Sequence, residues 1–230
     1  MPVKQNIKIA VDAIVFGYTE HTLYVLLVKQ KYGELKNSWV LPGGFVKDKE
    51  SLVDAVNREL KEETGIAVNY MEQLYTFGDN IERDPRGRVV SVAYFGLVNP
   101  AQLTLKADTD AADAQWFPVS KIPKVGFDHQ AMITLAKNRL KSKLTYQPIG
   151  FDLLDHDFLF SDLENLYSTI LEKEIDRRNF RKKLLSFDLL EETDLVSNSG
   201  SGRPARFFTF NKKKYNKLVK EGFYFEIKFA

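Results

Sequence analysis

Two hydrophobic periods alternate along the chain, and their alternation maps its elements. Residues 7–16 (IKIAVDAIVF) and 23–29 (LYVLLVK) are apolar runs of strand length, the second continuous enough to be buried. Residues 39–41 lead into Pro42-Gly43-Gly44, which predicts a loop. Residues 51–64 change to helical spacing. There Leu52, Val53, Val56 and Leu60 form an apolar stripe, Ser51 and Asp54 stand as a capping pair, and Gly65 supplies a left-handed stop. Residues 67–77 and 89–98 predict strands around a charged loop, residues 115–118 a short strand, and residues 128–140 a helix that closes a first domain. Residues 141–150 read as a linker.

Beyond it, residues 161–173 (SDLENLYSTILEK) resume the helical period with Leu163, Leu166, Tyr167, Ile170 and Leu171 inward, and Ser161 with Glu164 as a capping box. Residues 176–185 (DRRNFRKKLL) predict a second helix, apolar at Phe180, Leu184 and Leu185 and basic at Arg177, Arg178, Arg181, Lys182 and Lys183. Residues 189–197 and 204–210 form a hairpin around NSGSG, with Arg203 and Arg206 at its edge. Two domains are expected, 1–145 and 146–230.

Composition narrows the classes. With 44% hydrophobic residues in 230, the chain can bury a sizeable core. A net charge of +2 excludes a chain that binds nucleic acid through its overall charge. Locally the balance differs: residues 175–220 hold 12 Lys or Arg against 5 Asp or Glu, whereas residues 146–230 hold 14 of each. There is no cysteine, which excludes disulfides and thiolate metal sites. Lys8 and Asp12 break the first apolar stretch, so no signal peptide is expected, and no run approaches the roughly 20 apolar residues of a spanning helix. A cytoplasmic protein without a membrane partner is expected.

The chemistry concentrates in the first helix. Glu59, Glu62 and Glu63 are neighbours at i+3 and i+4. Glu59 follows Leu52, and Glu63 follows Val56, by seven residues, which returns to nearly the same face, about 20° off. Two acids therefore continue the apolar stripe toward the helix C-terminus, where the macrodipole opposes them. Solvated acids belong on the other face. Crowded carboxylates, with substrate phosphates and water, are the ligand set magnesium prefers, and such a site could polarise a phosphoryl group.

Residues 44–66 read GFVKDKESLVDAVNRELKEETGI. This stretch matches the Nudix box at every specified position, and the chain resembles Nudix hydrolases. The resemblance implies an α/β fold, the Nudix α/β/α sandwich, whose box binds Mg²⁺ and a nucleoside-diphosphate-linked substrate. It makes Glu59 and Glu63 the main metal ligands and Glu62 a ligand or base. It makes Arg58 the group that orients the acids, Glu50 its support, and Gly43 or Gly44 a backbone contributor to the metal site. The loop at 83–88 (RDPRGR) offers Arg83, Arg86 and Arg88, read either as a solvated hairpin or as guanidinium contacts to phosphate or ribose. Its surroundings resemble Nudix proteins close to ADP-ribose pyrophosphatases, as does Phe127-Asp128-His129. His129 is expected to start or pack a helix and carries no assigned chemistry.

Two helices followed by a hairpin resemble a winged helix-turn-helix, and the clustered positive charge suits phosphate contact. Arg177, Arg178, Asn179, Arg181, Lys182, Arg203 and Arg206 are the expected DNA-binding residues. In this order, the two halves resemble the Nudix-related transcriptional regulators. That resemblance implies a homodimer that binds operator double-stranded DNA and senses a small-molecule effector, ADP-ribose or a pentose. Many members carry damaged boxes; this one is whole. The alternative is therefore an active Mg²⁺-dependent hydrolase that splits ADP-ribose to AMP and ribose 5-phosphate.

Overall fold

The computed structural model describes residues 5–105, 111–197 and 204–227. Arg203 and the NSGSG turn lie outside the described residues. Two compact units divide the chain, residues 1–138 and 139–230.

The first unit is built on one mixed sheet. Strand β1 (Lys8–Thr19) forms a hairpin with β2 (Thr22–Gln30) and pairs in parallel along its other edge with β6 (Val89–Val98). β6 is flanked by β5 (Tyr70–Phe77). β2 pairs with β3 (Trp39–Val40) and with β7 (Ala111–Pro118), which is longer than the segment expected at 115–118. Gly43–Phe45 is a strand, β4, not the expected loop. It pairs antiparallel with residues 10–12 of β1, whereas β2 takes residues 16–19 of that strand. Between the two pairings the Ala13 N–H turns to the Pro42 carbonyl at 2.8 Å. The sheet thus opens beside the Gly-Gly pair, where a turn signal and a strand signal coincide.

Helix α1 (Leu52–Thr64) starts and stops as its ends predict. Ser51 Oγ accepts from the Asp54 N–H at 3.1 Å, and Gly65 adopts φ 74°. The stripe needs one correction: Val53 is half-exposed, and Ala55 takes its place beside Val56 and Leu60 in the core. These three pack with Val11, Ala13 and Val15 of β1 and Val92 and Tyr94 of β6. Helix α2 (His129–Tyr146) runs through the first six residues of the expected linker. It begins against Asp12, which alternates with Val11 and Ala13 along β1 and so faces away from α1. With Ile14 and Phe16 also fully buried, the sheet is covered on both faces, as in an α/β/α sandwich.

The start of α2 is held by buried charge. Arg83 forks onto Asp128 at 2.6 and 2.9 Å and lies 4.0 Å from Asp12. Ser91 Oγ donates to Asp12. His129 Nδ1 accepts from the Leu41 N–H at 2.8 Å, which places the imidazole proton on Nε2, 3.4 Å from Asp12. Burial pushes the Asp12 carboxyl up, but contacts with His129, Ser91 and Arg83 outweigh it and hold the group below its ordinary 3.8.

The second unit contains a three-stranded sheet in the order β8 (Phe158–Leu159), β10 (Ala205–Phe210), β9 (Leu190–Ser197). Helices α3 (Phe160–Leu171) and α4 (Arg177–Ser186) precede the β9–β10 hairpin. The expected capping box on α3 is displaced. The helix starts at Phe160, and the Asp162 carboxylate accepts from the Leu159 N–H at 3.0 Å. Glu164 turns instead toward Arg177 at 3.8 Å. Of the expected inward residues, Leu163, Leu166, Tyr167 and Ile170 are fully buried, while Leu171 is half-buried. Rings join the layers: Phe180 of α4 lies 4.9 Å from Tyr167 and 6.2 Å from Phe160, which meets Phe208 of β10 at 5.8 Å. A further helix, α5 (Lys212–Lys220), follows the hairpin.

Two expectations follow for the first unit. Arg83→Ala should lower its stability by about 3 kcal/mol in urea titration, near the low end for a broken buried pair because Asp128 keeps 24% of its side chain exposed. Because the folded Asp12 binds its proton more weakly than an unfolded one, its contribution is full above 3.8 and fades as pH falls below that value. Asp12→Asn should flatten that acid limb in the same titration.

Candidate functional site

The box acids gather where α1 approaches β4. The Glu63 carboxylate, 4% exposed as a residue, accepts from the Gly43 N–H at 2.9 Å. Glu59 lies against Gly44, where a Cβ would sit 2.3 Å from Oε1 of the acid, so only glycine leaves room for the carboxylate. Glu62 is the most open of the three, its side chain 42% exposed.

Arg58 ties them together. Its Nε and Nη2 form a fork onto Glu50 at 2.9 and 2.6 Å, and its Nη1 reaches Glu59 at 2.7 Å and Glu62 at 3.3 Å. Its Nη2 also donates to the Phe45 carbonyl at 3.3 Å. Hydrogen bonding from Arg58 and from the Lys47 backbone brings the Glu50 carboxyl down to about 2. Glu59 moves the other way: burial raises it, the Glu62 charge adds to the rise, and Arg58 only partly offsets both. The arginine is thus fully engaged with one acid and shared between two others.

Do these residues fit a divalent cation? Their donors are all oxygen, the set that hard cations take, and the missing Cβ of Gly44 leaves Glu59 a cradle. Among the described residues, however, no three Asp, Glu, His or Cys side chains converge at metal-binding distance. The chemistry of the set fits; in this state Arg58 supplies the positive charge.

The loop arginines separate. Arg83 is buried in the Asp128 fork described above. Arg88 donates to the Gly78 carbonyl at 2.7 Å and closes the base of its loop. Arg86 remains half-exposed, held by Asp84 at 2.7 Å. Its guanidinium lies 4.7 Å from the Phe45 ring centre and 5.2 Å from that of Phe127, a residue with φ 51°. Arg86 therefore stands next to the strand that carries Gly43 and Gly44. Nothing in a single sequence pointed to Phe45 and Phe127 as its partners. The Asp12 network was also missed, although one signal existed: a lone acid inside the apolar run of β1.

In the second unit α4 turns Phe180 and Leu184 inward. At about 100° per residue, Arg178 and Lys182 lie opposite that stripe, with Asn179 on the same outward side. All three are exposed. Asn179 is not idle, since its amide donates to the capping Asp176 at 2.6 Å. Arg177 and Arg181 occupy the flank toward α3. Arg181 lies 4.4 Å from the Phe160 ring centre and 5.7 Å from that of Phe208, in a cleft of about 640 Å³ lined also by Glu164, Glu192 and Arg206. Arg206 is 3.4 Å from Glu192. Leu185, the third apolar residue of the helix, is exposed on the outward side.

The NUDIX domain family model matches residues 7–136, and the model described as the NrtR DNA-binding winged helix domain matches residues 150–210. The ADPR responsive transcriptional repressor NtrR of Acinetobacter baylyi is 31% identical over 210 residues, covering 90% of this chain and 83% of that one. The crystal structure of Shewanella oneidensis NrtR complexed with a 27mer DNA superposes with a TM-score of 0.75 at 33% identity, covering 88% of this chain and 93% of that one. The NUDIX domain of the same Shewanella protein, complexed with ADP ribose, gives 0.55 at 35% identity over 60% of this chain and 90% of that domain. The box, the sandwich and the helix-hairpin unit agree with these matches, and the chain belongs to the Nudix family and, within it, to the NrtR regulators that carry a winged helix behind the Nudix domain.

Proposed function

We propose that this chain is a transcriptional repressor whose Nudix unit binds ADP-ribose and whose winged-helix unit binds operator double-stranded DNA as a homodimer in the cytoplasm. The observation that carries the reading is the outward face of α4, where Arg178 and Lys182 stand opposite the buried stripe and, among the described residues, form no ion pair. A helix that presents unpaired cations and an amide away from its core suits a major groove, with the β9–β10 hairpin over the neighbouring backbone. Arg177, Arg181 and Arg206 would contribute from the flank and the wing, as would Arg203. Among the described residues, no helix is long and apolar enough to cross a membrane. ADP-ribose is favoured over a pentose because the Acinetobacter relative responds to it and the Shewanella Nudix domain has been crystallised with it.

Among the loop arginines, Arg86 is the one with a guanidinium left to offer a ligand. Mg²⁺ is proposed to be held by Glu59, Glu62, Glu63 and the backbone of Gly43; when bound, it would polarise a phosphoryl oxygen and lower the pKa of a water. The chain's own part is to keep Glu59 and Glu63 ionised and oriented through Arg58 and the Gly43 N–H. The intact box favours a second reading beside the first, slow hydrolysis of ADP-ribose.

Three measurements test these readings. In a gel shift with the chain's own upstream DNA, ADP-ribose should change operator affinity by about 5- to 150-fold, the range of an ordinary coupling energy. No specific shift under any effector condition would end the regulator reading. Arg86→Ala should weaken ADP-ribose binding by about tenfold or more in calorimetry and also lower the thermal midpoint, because it strips the buried Asp84 carboxylate of its guanidinium; Arg86→Lys keeps a cation beside Asp84 and should weaken binding with a smaller loss of stability. Unchanged affinity removes Arg86 from the site. If the chain hydrolyses ADP-ribose with Mg²⁺, Glu59→Gln and Glu63→Gln should each cost at least about 100-fold in turnover; equal turnover in the variants would assign the activity elsewhere.

A further inference from the structure

Helix α5 lies beyond the segment matched by the winged-helix family model, which ends at residue 210. Its sequence KKKYNKLVK sorts its residues by direction. Tyr215 and Leu218 are half-buried, and Tyr215 lies 5.9 Å from the Phe210 ring centre. Lys213, Lys217 and Lys220 recur at i, i+4 and i+7, within about 60° of one another around the axis, and all are exposed. None of the three forms an ion pair among the described residues. The two lysines on the flanks behave differently: Lys212 reaches Asp152 at 3.4 Å, and Lys214 pairs with Asp188.

Those pairs fix where the free lysines point. Asn211 caps α5, its N–H donates to the Leu189 carbonyl at 2.9 Å, and its side chain donates to Glu191 at 2.5 Å. Asp188, Leu189 and Glu191 are the residues that join α4 to β9. Past the C-terminal end of α5, Phe223 and Phe225 pack on Phe187, the residue after α4, at 5.6 and 4.9 Å. The triad of lysines is therefore mounted at the C-terminal end of α4, within one compact unit, on a segment whose net charge over residues 175–220 is +7. Arg178 and Lys182 of α4 likewise form no ion pair among the described residues.

We infer that Lys213, Lys217 and Lys220 of α5 form a second phosphate-contacting face, which grips the DNA backbone beside the duplex segment that α4 reads. The inference rests on the proposed DNA-binding function. It commits to a nucleic-acid backbone because three cations at one-turn spacing match a linear array of phosphates. They also share a unit with the cationic face of α4. Lysine, a compact cation on a flexible stem, suits phosphate contact without base selection.

The test is fluorescence anisotropy of the full chain on its operator duplex and on an unrelated duplex, from 50 to 200 mM salt. With all three lysines changed to Gln, affinity at about 100 mM salt should fall by tenfold or more on both duplexes. The slope of log K against log salt should become shallower by about 2 to 3, close to one per phosphate lost. Lys217→Gln alone should reduce the slope by about 1, and the triple Lys→Arg variant should restore it. All variants should melt with the wild type by circular dichroism, because the three exposed ammonium groups form no ion pair among the described residues. Equal affinity and slope in the triple Gln variant overturn the inference while leaving the regulator reading in place. A loss confined to the operator with an unchanged slope also overturns it, since phosphate contacts do not read sequence. If the wild type binds neither duplex, both readings fall.

Discussion

Carboxylate repulsion is the constraint around which the Nudix unit is arranged. Glu59, Glu62 and Glu63 occupy barely more than one turn of α1, at the end of the helix where the macrodipole also disfavours negative charge. Left in water, such acids would spread apart. Here Glu63 is drawn onto the Gly43 N–H and Glu59 onto Arg58, so each buried acid has a donor of its own. Arg58 can serve two acids because Glu50 already holds its other edge in a bidentate fork. This explains why Glu50, eight residues before the arginine, belongs to the motif. It also explains why strand β4 must be glycine-rich, since any side chain at Gly44 would take the space of the Glu59 carboxylate.

Positive charge in the second unit follows the opposite logic. Several of its lysines are paired at the surface: Lys141 with Glu172, Lys212 with Asp152, Lys214 with Asp188. Among the described residues, the exposed cations Arg178, Lys182, Lys213, Lys217 and Lys220, which form no ion pair, lie on α4 and α5. Exposed ion pairs contribute little to stability, so leaving such side chains unpaired costs the fold little, and the resulting field favours a polyanion. Arg181 stands between the two groups. Its contacts with the Phe160 and Phe208 rings hold the guanidinium at the flank of α4.

Much of this was legible in the sequence because local rules and tertiary demands agreed. The α1 ends, the buried acids Glu59 and Glu63, the apolar stripe of α3 and the basic face of α4 all follow from period and capping chemistry. The failures have physical causes. Gly43 and Gly44 carry turn propensity, yet β1 offers a free edge between residues 10 and 12, and pairing with it outweighs the local preference. Residues 141–146 are polar enough to suggest a linker, but Leu144 is fully buried and the helix continues to bury it. Ser161 and Glu164 have the spacing of a capping box, but the helix starts one residue earlier, where Phe160 enters the core. Arg83 looked like a ligand arginine because the loop around it is charged. Only the fold reveals that Asp128, 45 residues away, claims it.

An intact box in a regulator need not be a contradiction. Sensing requires only that ADP-ribose bind two states of the protein with different affinity, and by linkage operator DNA then changes the affinity for ADP-ribose by the same factor. Hydrolysis is not bound by that reciprocity. If the acids turn the ligand over slowly compared with its dissociation, occupancy is set by binding and the site is a sensor. If turnover outruns dissociation, occupancy reports flux instead of concentration, and the DNA response loses its equilibrium meaning. The geometry enters through Glu59. Burial raises its proton affinity, and Arg58, whose charge offsets that rise, is shared with Glu62. A bound cation would complete the charge balance that Arg58 leaves unfinished, and it would do so for a sensor and for a hydrolase alike. The acids therefore favour cation-assisted binding of a phosphorylated ligand, and the rate of turnover against dissociation decides which of the two the site is.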